Sequence, residues 1–287
     1  MMAGLRALAR PARRERGFVL LIVLWVLVLL SAIALHLTSI GRTEARIAFN
    51  LVANAKAESL ADGGVARAVF GLLDPNPDQR WAADGIERQI RIQGGTTTIT
   101  IRDENTKINP NLAPEGLMFA LLLEAGVDQD HARHLAAAIA DWISPGPAAR
   151  PFGAKAAEYN SAGLTYGPPG APFESADELG RVLGMTPDIL VALRPYLSTF
   201  STAAVPESPS AAPLVHRAVE RFRGTSAASG VTRLGVGGAI PGVVAVSVVA
   251  HADAGAVFIR EAVLRVEPQA LKGYVLLAWR QGELPEQ

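Results

Sequence analysis

The sequence predicts an α+β protein: one very long N-terminal helix, an antiparallel sheet, and a large all-α insertion between the strands. Three observations carry this. An uncharged apolar run near the N-terminus passes into a helical pattern that lasts to Leu73. Short, alternating, β-branched segments occur at about 89–102 and return only after position 243. Between them, about 104–203 carries helix caps and helical spacing. The 287 residues are 49% hydrophobic and 19% charged, which is ample for a packed core and excludes global disorder. The absence of cysteine excludes a disulfide framework, a thiolate zinc site and a cysteine nucleophile.

The first element is the apolar helix. The 27 basic and 27 acidic side chains balance overall, yet residues 1–17 hold five arginines against Glu15 alone. Phe18 to Leu37 follows, interrupted only by Ser31 and His36, and no charge stands between Arg16 and Arg42. Twenty residues at about 1.5 Å each give roughly 30 Å, the thickness of a hydrocarbon core. Arginines ahead of the span keep the start cytoplasmic and export the remainder. A secretory signal peptide has a shorter apolar core and a small-residue cleavage site, for which Ser39-Ile40-Gly41 is a poor match. An ordinary single-span anchor fits the segment equally well. Beyond the span, Ile47, Leu51, Ala61, Val65, Val69 and Leu72 form a helical stripe until Asp74-Pro75-Asn76-Pro77 ends it. A helix from 18 to 73 would be roughly 84 Å long.

The strands come next. Gln89–Ile92 and Thr96–Arg102, joined by Gln93-Gly94-Gly95, read as a hairpin. Val243–Ala250 and Ala256–Val266 turn at Asp253-Ala254-Gly255, and Tyr274–Trp279 adds a further strand. Within the insertion, Glu115–Ala125 and Gln129–Trp142 are helices separated by Gly126. Ser175 and Glu178 have the spacing of a capping box for a helix to Leu183, and Thr186-Pro187 opens another. Ser144–Pro172 reads as a long loop and 201–213 as a linker back to the sheet.

Little of the sequence suggests chemistry. Residues 104–203 hold six basic and eleven acidic side chains, the wrong balance for gripping nucleic acid phosphates. His131 and His134 have a ligand-compatible i, i+3 spacing but no third partner, so they are expected to face solvent. His36, His216 and His251 are isolated, and Gly235–Gly238 is expected to turn into a strand. Asp103 and Glu104 would point to opposite faces of a strand, a poor acid–base pair. With no nucleophile elbow and no phosphate-binding loop, an enzyme is not expected.

The junction Arg13-Arg14-Glu15-Arg16-Gly17-Phe18 resembles the class III signal of type IV pilins and type II secretion pseudopilins. That resemblance implies cleavage by a prepilin peptidase between Gly17 and Phe18, with N-methylation of Phe18. Most such subunits have glutamate five residues into the mature chain, where this sequence has Ile22. An apolar residue there resembles the minor pseudopilins of the protein K family. Asp103-Glu104-Asn105-Thr106-Lys107-Ile108-Asn109-Pro110-Asn111 is similar to the segment opening that family's helical domain. Ala138-Ile139-Ala140-Asp141-Trp142, Ala171-Pro172-Phe173, Glu178-Leu179, Leu193-Arg194-Pro195-Tyr196 and the late Trp279-Arg280 follow in family order.

The resemblance implies a pilin-like frame around a SAM-like helical insertion. Its divisions are a leader at 1–17, a transmembrane helix at 18–40, a pilin-like α/β part at 41–103, the helical domain at 104–203 and returning strands at 204–287. It implies a single-pass inner-membrane protein with a periplasmic domain. That domain would cap a pseudopilus and help start its assembly for protein export. Implied partners are other minor pseudopilins, the pseudopilus, the inner-membrane secretion platform, the prepilin peptidase and membrane lipid, but no nucleic acid. Family members take calcium from acids after the Asp-Trp pair and from a Gly-Ala-Glu segment. Here Asp141 and, by a shifted register, Glu158 are the remaining calcium candidates, whereas Lys155 follows Gly153-Ala154 and opposes a cation. The expectation is a metal-free loop held by packing of Trp142, Phe152 and Tyr159. The competing reading is a single-span periplasmic binding protein whose helix-hairpin-helix-like domains take a ligand or DNA.

Overall fold

The computed structural model of the chain describes residues 15–226, 242–267 and 269–282. Gly235–Gly238 lies outside these. Helix α1 spans Glu15–Leu72, and the chain divides into two units after Ala55. In the first unit, Phe18–His36 is long and apolar enough to cross a membrane, and none of that span is buried. Ile47, Phe49, Leu51 and Val52 of the expected stripe's early part and its surroundings are exposed too.

In the second unit the rest of α1 packs on a sheet. Strands β1 (Asp84–Ile92), β2 (Gly95–Asp103), β3 (Val243–Ala252), β4 (Val257–Val266) and β5 (Tyr274–Gln281) form one sheet, ordered β1-β2-β3-β4-β5 and antiparallel throughout. Strand alternation sends Ile99, Ile101, Val244, Val246, Val248 and Ala250 to one face. There they meet Ala61, Val65, Ala68, Val69 and Leu72 of α1. Gly64 marks a close approach: a β-carbon there would stand 2.5 Å from Val248 Cγ1.

A charge fixes the same contact. Arg260, on β4 and only 6% exposed, donates from Nε to Asp62 Oδ1 at 2.7 Å and from Nη2 to Glu58 Oε1 at 2.8 Å. Its guanidinium also lies 4.8 Å from the Phe258 ring centre and 4.9 Å from that of Trp279. A buried guanidinium requires such neutralisation.

The helical insertion leaves from β2 and returns to β3, which are neighbours in the sheet. Its neck is hydrogen-bonded shut. Ile108 N donates to Tyr196 O at 2.9 Å, and Ser198 N to Ile108 O at 3.0 Å. Asn109 Nδ2 donates to Ser201 O at 2.6 Å, and Asn105 Oδ1 accepts from Thr202 N at 3.0 Å. Glu104 is not on a strand as expected. Asp103 caps a 3-10 turn over Glu104–Thr106 by accepting from Asn105 N, which carries Glu104 inward to pair with Lys107 at 2.8 Å. Burial, with the Glu104 charge adding to it, pushes the Asp103 carboxyl above its ordinary pKa.

Inside the insertion, α2 (Glu115–Glu124) and α3 (Gln129–Ile143) match their predicted spans closely. Asp128 caps α3 by accepting from Asp130 N and His131 N. The predicted loop 144–172 contains a short helix, α4 (Ala156–Ser161). The predicted helix after Ser175 is a 3-10 turn, Ala176–Arg181, and the expected capping box is not formed: the Glu178 carboxylate accepts from Glu174 N at 2.9 Å. Helix α5 (Pro187–Leu193) starts as expected, with Thr186 Oγ1 accepting from Ile189 N. Helix α6 (Pro213–Ser226) extends the helical core past position 203, into the stretch expected to hold returning strands. Its Val215, Ala218 and Val219 are buried with Leu117, Leu121, Leu135 and Ile139 of α2 and α3.

Glu124 joins α2 to α6, accepting from Arg217 Nε at 2.8 Å and Arg221 Nη2 at 2.6 Å. These two guanidinium bonds hold its carboxyl below the ordinary value.

Two outcomes follow for the folded chain in detergent. Gly64→Val is expected to lower stability by about 1–3 kcal/mol in denaturant unfolding, because the side chain must displace Val248. Gly63→Ala, where the space is open, should not destabilise. Glu124→Gln should melt below the native chain near neutral pH. A depressed carboxyl contributes fully above its unfolded value of 4.5 and loses that contribution as pH falls through the folded value, so the difference should close on acidification.

Candidate functional site

The first candidate is the junction at the start of α1. Gly17 and Phe18 both lie in the helical stretch that opens the described residues at Glu15. Phe18 is exposed, as is Ile22 at the position where a buried carboxylate would need a partner. The helix presents apolar side chains on every face from Phe18 to Leu35, with Trp25 among the most exposed. Such a surface is stable only against lipid or other apolar helices.

The second candidate is the loop between α3 and α4. Asp141 lies in the last turn of α3 with its side chain 1% exposed. Its Oδ2 accepts from Arg150 N at 3.0 Å, and Oδ1 stands 3.3 Å from Arg150 Nε, an ion pair outside hydrogen-bond geometry. Gly153 passes so close that a β-carbon there would overlap Asp141 Oδ2. Lys155 is 6% exposed, and its ammonium donates to Asp141 O at 2.6 Å and to Ser144 O at 2.5 Å. Glu158 is exposed and accepts from Lys155 N at 2.8 Å, which holds its carboxyl below the ordinary value. Asp141 and Glu158 are therefore each engaged by the chain's own donors. No group of three histidine, aspartate or glutamate side chains among the described residues is arranged to hold a metal ion.

The aromatic packing expected of this loop is present in part. Trp142 stacks on Phe173, with ring centres 5.7 Å apart and planes within 4°, and lies 6.2 Å from Tyr159. Tyr159 is fully buried and its hydroxyl accepts from Leu183 N at 2.9 Å. Burial pushes that phenol up to about 12. Phe152, by contrast, is 52% exposed and takes no part. The turn closed by Gly153 N to Arg150 O places Phe152 in the left-handed region (φ 66°), with its ring edge-on to His134. It borders an open cleft of about 470 Å³ lined also by Glu115, Phe119, Arg133 and Arg150.

Of the histidines, His134 is exposed as expected and His131 partly so. His131 Nε2 bonds to Gly184 O at 2.7 Å, and His134 Nδ1 to Phe152 O at 3.1 Å, so each also ties α3 to a following loop. The Lys155 contacts and the Asp141–Arg150 pair were not foreseen. The Asp141, Arg150 and Lys155 side chains are scattered over 14 positions and meet only through the loop's path.

Residues 99–202 match the family model for the first domain of type II secretion system (T2SS) protein K. The type II secretion system protein K of Pectobacterium carotovorum subsp. carotovorum is 27% identical over 218 residues. That match takes in 67% of this chain and 65% of the relative, so the chain spans just under two thirds of that protein's length. The fold is similar to a chain in the crystal structure of the GspK-GspI-GspJ complex from the enterotoxigenic Escherichia coli type 2 secretion system. The TM-score is 0.58 at 15% identity, covering 85% of this chain and 99% of that one. The helical insertion seated between neighbouring strands of the α+β frame is thus the part of this chain that matches the type II secretion system protein K domain.

Proposed function

We propose that the protein is a minor pseudopilin of a type II secretion system, a subunit that caps a short periplasmic pseudopilus and helps start its assembly. The observation that carries this reading is the protein K domain at 99–202 in a chain that also holds a membrane-length apolar helix at Phe18–His36. The role is mechanical. The helix rests in the inner membrane with the arginine-rich start on the cytoplasmic side, and the globular part faces the periplasm. The likeness to a chain of a complex of three secretion proteins supports other minor pseudopilins as its partners. No catalysis is assigned.

Two residues refine the reading. Gly17 offers a protease an unhindered backbone, and cleavage after it leaves Phe18 as the N-methylated mature terminus. Ile22 removes the carboxylate that an ordinary subunit pairs with the terminal amine of a neighbour. A subunit with none above it would otherwise hold an unpaired acid in apolar surroundings, at a cost of several kcal/mol.

The intact mass and N-terminal peptide of the protein from its native membrane test this. The expected chain begins at N-methylated Phe18, and Gly17→Val should leave the leader attached. A native chain retaining residues 1–17 in cells with an active prepilin peptidase would overturn the reading. Ile22→Glu is expected to reduce secretion at unchanged protein level, measured as exported enzyme in the medium.

A further inference from the structure

The Asp141–Glu158 loop is where the family's calcium ligands would lie, and the residues present do not fit that ion. Calcium takes six to eight oxygens, chiefly from carboxylates. Here the Asp141 carboxylate is bound by the Arg150 amide and guanidinium, and Glu158 accepts from a backbone N–H. The two carbonyls that converge at the end of α3, Asp141 O and Ser144 O, already share a cation: the Lys155 ammonium, at 2.6 and 2.5 Å.

We propose that Lys155 is the built-in cation of this loop. Its ammonium ties the C-terminal end of α3 to the start of α4, so the helical insertion holds its form without a divalent ion. Three features support the assignment. A helix C-terminus concentrates unpaired carbonyl dipoles, which favour a positive charge. Lys155 is buried, and a lysine in that state requires acceptors of this kind to stay charged. The position is also already charged: the Lys155 ammonium sits on the Asp141 and Ser144 carbonyls, and Arg150 pairs with Asp141 and Glu115, so a dication there would have to stand beside an ammonium. The inference concerns only the loop's own residues and stands apart from the pseudopilin reading.

Hydrogen exchange of peptides covering 141–160, in the full chain in detergent, tests it with millimolar calcium or a chelator. The native loop should exchange equally in both conditions. Lys155→Met should exchange about tenfold faster or more in the chelator, because the two carbonyls lose their only charged donor. Calcium-dependent protection of the native loop would overturn the proposal, and so would native-like protection in the Lys155→Met chain without calcium. If Lys155→Met fails to accumulate, the milder Lys155→Gln and the native comparison decide by the same criteria.

Discussion

The face that α1 turns to the sheet is built from Ala61, Gly64 and Ala68 as well as from Val65 and Val69, and that choice of small residues sets how near the sheet can come. Close approach seats the valines of β3 directly against the helix, and β4 lies within reach of the helix's acids. Arg260 can then satisfy Glu58 and Asp62 together while its guanidinium lies beside two aromatic rings. A larger residue at position 64 would separate the surfaces and leave a buried charge poorly neutralised. The apolar packing and the ion pairs therefore share one geometric condition.

Much of this frame was legible in the sequence. The apolar run from Phe18, the alternation at Ile99 and Ile101 and the valines after 243 are local patterns, and each found its predicted element. Strand order was not legible, because the pairing of β2 with β3 joins residues about 150 positions apart and no local spacing encodes it. Helix α6 was missed although Pro213 at its start and the spacing of Val215, Val219 and Phe222 were signals; the prolines just before it suggested only a linker. Helix α4 has a single buried side chain, Tyr159, and too short a span to show a period.

The loop region shows where sequence reasoning runs out. Lys155 was recognisable as hostile to a cation, but not as a cation itself. That role depends on two backbone carbonyls, which carry no side-chain signature, brought within reach of a buried ammonium. Phe152 was expected inside with Trp142 and Tyr159, since aromatic residues usually bury. The turn over Asp141 instead forces its backbone to positive φ and its ring to the surface. Both outcomes follow from backbone path, which is a property of the closed loop as a whole.

The hydrogen-bonded neck of the insertion bears on how the chain reaches its fold. An open chain joining β2 to β3 would carry a loop-closure entropy that grows with the logarithm of its length. Once Ile108 has paired with Tyr196 and Ser198, and Asn109 with Ser201, the two ends of the insertion already stand together. The residues between Ile108 and Ser198 then drop out of the connection, which still runs through α6 before it reaches β3. A closed neck therefore spares β3 part of the entropy of finding β2, and the insertion lengthens the chain without lengthening the search in proportion.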